Sequence, residues 1–177
     1  MKKLVAAMLC LALSLMCAVG LANEKIDPSE LQIGVIMIGD TSDMGFNYSH
    51  LVGLQEMQKN LGIEDRQITI LENVADDSTC ADAISELISN GCNVIIGNSF
   101  GFQTYMYEAA AQHPEVLFCH YSGLLQNDTN FCRFNARNYQ TRYLQGIAAA
   151  MRSESGKIGF VGAFKNAEVN VSLNAYA

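Results

Sequence analysis

Residues 31–61 read LQIGVIMIGDTSDMGFNYSHLVGLQEMQKNL, and two periods meet inside them. Leu31 to Ile38 is an almost unbroken apolar run, the pattern of a strand buried on both faces. It stops at Gly39-Asp40. From about Gly45 to Leu61, Leu51, Leu54, Met57 and Leu61 recur at helical spacing, and Ser42 or Asp43 stands where a helix cap is wanted. A buried strand, a polar turn and an amphipathic helix make the opening of a βαβ unit.

The same alternation continues downstream. Gln67 to Leu71 predicts a second strand. Asp77-Ser78 caps a helix whose Ala81, Ile84, Leu87 and Ile88 share a face, and Gly91 sits where a left-handed cap ends it. Asn93 to Ile96 predicts a third strand, Gln103 to Gln112 a helix that stops before Pro114, and Val116 to His120 a fourth strand. Asn130 to Phe134 follows as a fifth. Tyr139 to Arg152 predicts a helix with Tyr143, Leu144, Ile147, Ala148 and Met151 on one side. Ser153-Glu154-Ser155-Gly156 reads as a linker, Lys157 to Val161 as a new strand, and Glu168 to Tyr176 as the first turns of another helix. Short strands separated by helices imply an α/β fold with a parallel sheet covered on both faces. One strand and part of a helix cannot make a second sheet, so the expectation is the front of a longer chain whose second lobe is missing.

The first residues read as a secretory signal peptide over 1–22. Lys2 and Lys3 precede the apolar Leu4 to Val19, and Gly20-Leu21-Ala22 offers small residues for cleavage. A membrane anchor, or a lipoprotein signal with Cys17 lipidated, is the alternative. Cleavage takes the net charge from −7 to −9. An acidic chain without Lys/Arg stripes argues against nucleic-acid binding. Cys80, Cys92, Cys119 and Cys132 remain, with neither C-x-x-C nor a His cluster, so no metal site and no cofactor are expected. Cys80 and Cys92 bracket a helix and stand about 18 Å apart at ~1.5 Å rise per residue, too far to pair. Cys119 and Cys132 lie on successive strands and could be close.

In parallel sheets, ligands bind outside the carboxyl ends of the strands. The loop Gly39 to Asn47 carries Asp40, Asp43, Phe46 and Asn47. Asn98-Ser99-Phe100-Gly101 follows the third strand, and His120-Tyr121-Ser122-Gly123 the fourth. Carboxylate, amide, hydroxyl and aromatic side chains together suit a polar, ring-shaped ligand. Each loop also has a plainer reading, as helix capping or core packing. No phosphate-binding loop, nucleophile elbow or zinc-protease motif is present, and the mature chain is not expected to be an enzyme.

Several segments together resemble one family. IGVIMIGDTSDMGFNYSHLVGLQEM, ISNGCNVIIGNSFGF, HPEVLFCHYSG, YQTRYLQGIAAAMRSESGKIGFVGAF and AEVNVSLNAYA are similar, in order, to motifs of basic-membrane-protein-family substrate-binding components of ABC importers. The resemblance runs from about Ile33 to the C-terminus. It implies a type I periplasmic-binding-protein fold: a ligand-binding lobe over 23–152, then a hinge crossing and the start of a second lobe over 153–177. It implies a protein in the periplasm or on the outer face of the plasma membrane, with a purine nucleoside or base as ligand and a membrane permease as partner. Carried onto this sequence, Phe46 stacks on the base, Asp43 and Asn47 hydrogen-bond to the ligand, and Asn98, Ser99 and Phe100 form the turn after the third strand. Where some members have an Asp after the fourth strand, Tyr121 and Ser122 stand here. A sugar or signal-molecule binder of the same fold, an exported nucleoside hydrolase and a receptor's sensing domain are the alternatives.

Overall fold

A computed structural model describes residues 26–177; the expected signal peptide, with Cys17, lies outside the described residues. The chain divides between Glu30 and Leu31. Ahead of the division a 3-10 turn covers Pro28–Glu30, and the other elements of the described residues lie in Leu31–Ala177.

Five strands form one sheet: β1 Ile33–Ile36, β2 Ile68–Leu71, β3 Val94–Gly97, β4 Leu117–Tyr121 and β5 Phe131–Phe134. Their order is β2-β1-β3-β4-β5 and every neighbouring pair is parallel. The helices are α1 Phe46–Leu61, α2 Thr79–Ser89, α3 Gln103–Gln112, α4 Asn138–Arg152 and α5 Ala167–Tyr176. Strand alternation divides the core in two. Ile36, Ile95, Phe118 and Phe131 pack with Ile84 and Leu87 of α2 and Met106 and Ala110 of α3. Ile33, Val35, Met37 and Val94 pack with Leu54 of α1 and with Ile63. The sheet is therefore apolar on both faces, as its continuous runs require.

The expected α/β architecture is present, with each strand beginning one or two residues later than predicted and with β2 and β5 ending at Leu71 and Phe134 as predicted. Gly91 ends α2 at φ +85°, as its position implied. Between the two candidate caps of α1, Asp43 serves: it accepts the N–H groups of Asn47 and Tyr48. Asp77 accepts from Thr79 at the head of α2.

One expectation fails. Lys157 to Val161 forms no strand. A strand needs a neighbour for its N–H and C=O groups, and no other strand of the described residues lies beside it. Val161 is instead 97% exposed. The helix expected next does form, as α5, with the Asn166 side chain accepting from Val169 N at 2.9 Å. It packs on α4, and the approach is close: a Cβ at Gly146 would lie 2.1 Å from the carbonyl oxygen of Tyr176. The apolar side of α4 leaves Tyr143, Leu144, Ile147 and Met151 exposed. No helix of the described residues is long and apolar enough to cross a membrane.

Candidate functional site

The chain leaves β1 toward β2 on one side and resumes at β3 on the other. The ends of β1 and β3 thus flank the reversal point where parallel sheets open a crevice. A chain of polar groups holds this point. Asp43 accepts four hydrogen bonds, from the backbone N–H groups of Gly45, Asn47 and Tyr48 and from Asn47 Nδ2, at 2.9 to 3.0 Å. The three backbone donors hold its carboxyl down at about 2. Asn47 Oδ1 in turn accepts from Asn98 Nδ2 at 2.8 Å, and Asn98 Oδ1 accepts from the N–H of Ile38 at 2.9 Å. Both amides are buried, so their hydrogen bonds replace lost water.

Aromatic rings gather beside this frame. Phe46 and His50, one turn apart on α1, have centroids 4.8 Å apart. Tyr121 at the end of β4 meets His50 at 4.7 Å, Phe46 at 5.8 Å and Phe134 of β5 at 5.6 Å, all edge-on. The last contact follows from register, since Tyr121 and Phe134 are opposite residues of neighbouring strands. Burial lowers the His50 pKa, which favours the neutral imidazole. Two adjoining cavities open here, of about 730 Å³ along the α1 face of the sheet and about 350 Å³ toward α5; Phe46, Asn98, Tyr121, Asn138 and Arg142 line both.

The far wall comes from α4 and α5. Asn138 donates to Tyr121 Oη at 2.8 Å and to Glu168 Oε1 at 3.3 Å, while Ser122 Oγ donates to Glu168 Oε2 at 2.5 Å. Ser122 sits at φ +72° and Gly123 at φ +65°. A Cβ at Gly123 would come within 2.5 Å of His120 Nδ1, so a side chain there is excluded both by backbone conformation and by the buried imidazole.

Ser99, His120 and Asp76 lie together, but not as a nucleophile and its base. His120 Nε2–H donates to the carbonyl of Ser99 at 2.7 Å, and the Ser99 hydroxyl donates to Asp76 at 3.1 Å. The imidazole is wholly buried and burial depresses its pKa. No group of three or more His, Cys, Asp or Glu among the described residues is placed to hold a metal.

The residues singled out from sequence come to one end of the sheet. Phe46, Asn98 and Tyr121 line both cavities, and Ser99, Phe100 and Ser122 line the smaller. Asp43 and Asn47 stand behind that wall, their polar atoms engaged in the frame. His50, Phe134, Asn138 and Arg142 were not singled out. His50 had a signal, being four residues after Phe46 on the same helical face; the others depend on which strands and helices become neighbours.

The profile of the family described as "ABC transporter substrate-binding protein PnrA-like" matches residues 30–177. A purine-binding protein of Brucella abortus is 34% identical over 155 residues, 88% of this chain and 42% of that protein. A Haloferax volcanii protein named as an ABC transporter glucose-binding protein is 32% identical over 143 residues, 80% of this chain and 35% of its own. An ABC transporter solute-binding protein of Aeropyrum pernix superposes with a TM-score of 0.66 at 16% identity, covering 82% of this chain and 41% of that one, a likeness of fold. The chain thus spans less than half the length of these relatives. With the ordered motifs, the parallel sheet and the profile match in agreement, the chain belongs to the PnrA-like family of ABC transporter substrate-binding proteins.

Proposed function

We propose that this chain supplies one lobe and the start of the second of an exported protein that captures a purine nucleoside or base between two lobes and presents it to the membrane permease of an ABC importer. The observation that carries this reading is the cluster of Phe46, His50, Tyr121 and Phe134 beside cavities at the strand ends. Planar faces and edges of this kind hold a heteroaromatic ring, and a few oriented polar groups fix its direction. Asn98 donates one amide hydrogen to Asn47; its amide has a second, at the wall of both cavities. Arg142 adds donors from α4, and Asn138, its amide hydrogens committed to Tyr121 and Glu168, adds its side-chain oxygen as an acceptor. Asp43 and Asn47 act by holding Asn98 and the start of α1 in place. Ser99, Phe100 and Ser122 bound the smaller cavity. The purine-binding relative supports the ligand class.

The cavities lie between the sheet and the α4–α5 pair. That packing, with the exposed apolar side of α4, supports grouping α4 with the residues that follow it, and a lobe crossing near Asn135 to Arg137 in place of the one expected from residue 153. Closure would then bring α4 and α5 against the strand ends.

The glucose-binding name of the second relative favours a competing ligand class, since sugars also pack on aromatic faces. Calorimetric titration of the full-length, two-lobed protein with a nucleoside and nucleobase panel and a sugar panel separates the two. Saturable binding of purines with sugars silent is expected. Sugar binding with purines silent would replace the reading.

A further inference from the structure

The ladder between β4 and β5 places Cys119 opposite Cys132 and, two residues on, Tyr121 opposite Phe134. Side chains two apart on a strand share a face, so the cysteine pair is the rung next to the aromatic pair that walls the cavity. The two Sγ atoms are 3.5 Å apart and both thiols are free. Neighbouring strands lie ~4.8 Å apart, inside the ~4.4–6.8 Å Cα range of disulfides. We propose that Cys119 and Cys132 are a modification site: they close a disulfide when the protein meets a small-molecule or protein disulfide, stapling edge strand β5 to β4 beneath the aromatic wall.

The chemistry is thiol–disulfide exchange. Cys132 is exposed and Cys119 half-buried, which sets the order. The Cys132 thiolate attacks one sulfur of the external disulfide, breaking its S–S bond and releasing one thiolate. A mixed disulfide remains on Cys132. Cys119 then loses its proton to solvent, and its sulfur attacks Cys132 Sγ, expelling the second external thiolate. The protein loses two protons and two electrons, and the external disulfide takes them up to become two thiols. Burial, with the neighbouring sulfur of Cys132, pushes the Cys119 thiol up to about 12, so the second step accelerates with rising pH. Cys80 and Cys92 are buried and stand apart from this reaction. The bridge forms whichever ligand the cavity takes.

The test exposes the full chain to oxidised glutathione in mildly alkaline buffer, quenches with N-ethylmaleimide, and maps peptides without reduction. The expected result is a peptide joined through Cys119 and Cys132, no maleimide on either, and no bridge in the Cys132→Ser variant. Amide exchange of Phe131–Phe134 should slow in the oxidised protein and recover on reduction. Maleimide on both residues, or glutathione lasting on Cys132 with Cys119 still free, would overturn the site. A bridge that leaves exchange in β5 unchanged would overturn the stapling.

Discussion

Asn98 donates from its side-chain amide to Oδ1 of Asn47 across 2.8 Å, joining the end of β3 to the first turn of α1 inside the protein. Asn98→Ala leaves the N–H of Ile38 without its side-chain partner and Oδ1 of Asn47 with only the long bond from Gly39 N–H at 3.4 Å. Each buried unpaired group costs ~1–3 kcal/mol. Urea unfolding of the full chain should show a loss of roughly 2–4 kcal/mol, and an unchanged midpoint would show that water replaces the amide without cost.

Phe46 is 45% exposed at the cavity mouth and makes edge contacts with His50 and Tyr121. Stacking on one aromatic side chain is worth ~1–3 kcal/mol per base. Phe46→Ala should therefore weaken purine binding about ten- to a hundredfold, with little effect on the unfolding midpoint. Titration of both proteins with the same nucleoside reads the difference directly; equal affinities would remove Phe46 from the site.

Asp43 has its carboxyl lowered from 3.8 to about 2 by the N–H groups it accepts. A carboxyl depressed in the folded state stabilises the fold above its unfolded pKa, and that contribution is lost as pH falls through the folded one. Wild type should exceed Asp43→Asn in stability at neutral pH, and the gap should narrow between about pH 4 and pH 2. Parallel acid titrations followed by circular dichroism check this. A gap constant over that window would mean the ionised form carries no advantage.

Asn130 Nδ2 lies within 2.9 to 3.0 Å of three carbonyl oxygens, those of Ala110, His113 and Val116, and so ties the end of α3 to the start of β5. Asn130→Ala should cost about 1–3 kcal/mol. Asn130→Asp, which keeps the shape but sets a carboxylate against carbonyls, should cost more at neutral pH and recover as pH falls. Thermal melts at two pH values distinguish the pair; an Asp variant as stable as wild type at pH 7 would contradict the donor role.

The sheet was legible because its strands are buried on both faces, and such runs as Ile33–Ile36 and Val94–Ile96 stand out without any partner being known. Helix ends were legible where a single residue fixes them, as at Gly91. Lys157–Val161 misled because composition favours a strand while only a neighbouring strand can make one. At the site, sequence order alone could bring out Asn98 and Tyr121, directly at strand ends, and Phe46, which opens α1 after the β1 loop. Phe134 reaches the cluster through register, and Asn138 and Arg142 through the docking of α4; neither is local in sequence. Asp43 and Asn47 were legible as polar loop residues, but their commitment to backbone donors and to Asn98 depends on how α1 enters from β1.

The position of β1 inside the sheet also governs how the chain finds its fold. Ile33 pairs with Ile68 on one side and with Val94 on the other. The strand synthesised first therefore waits for its second neighbour until β3 has emerged, and each pairing must close a long loop before it is rewarded. During that interval the edge of Ile33–Ile36 is open and apolar, a template for another chain. Refolding of this protein should be slow beside a helical chain of its size, and its yield should fall as protein concentration rises.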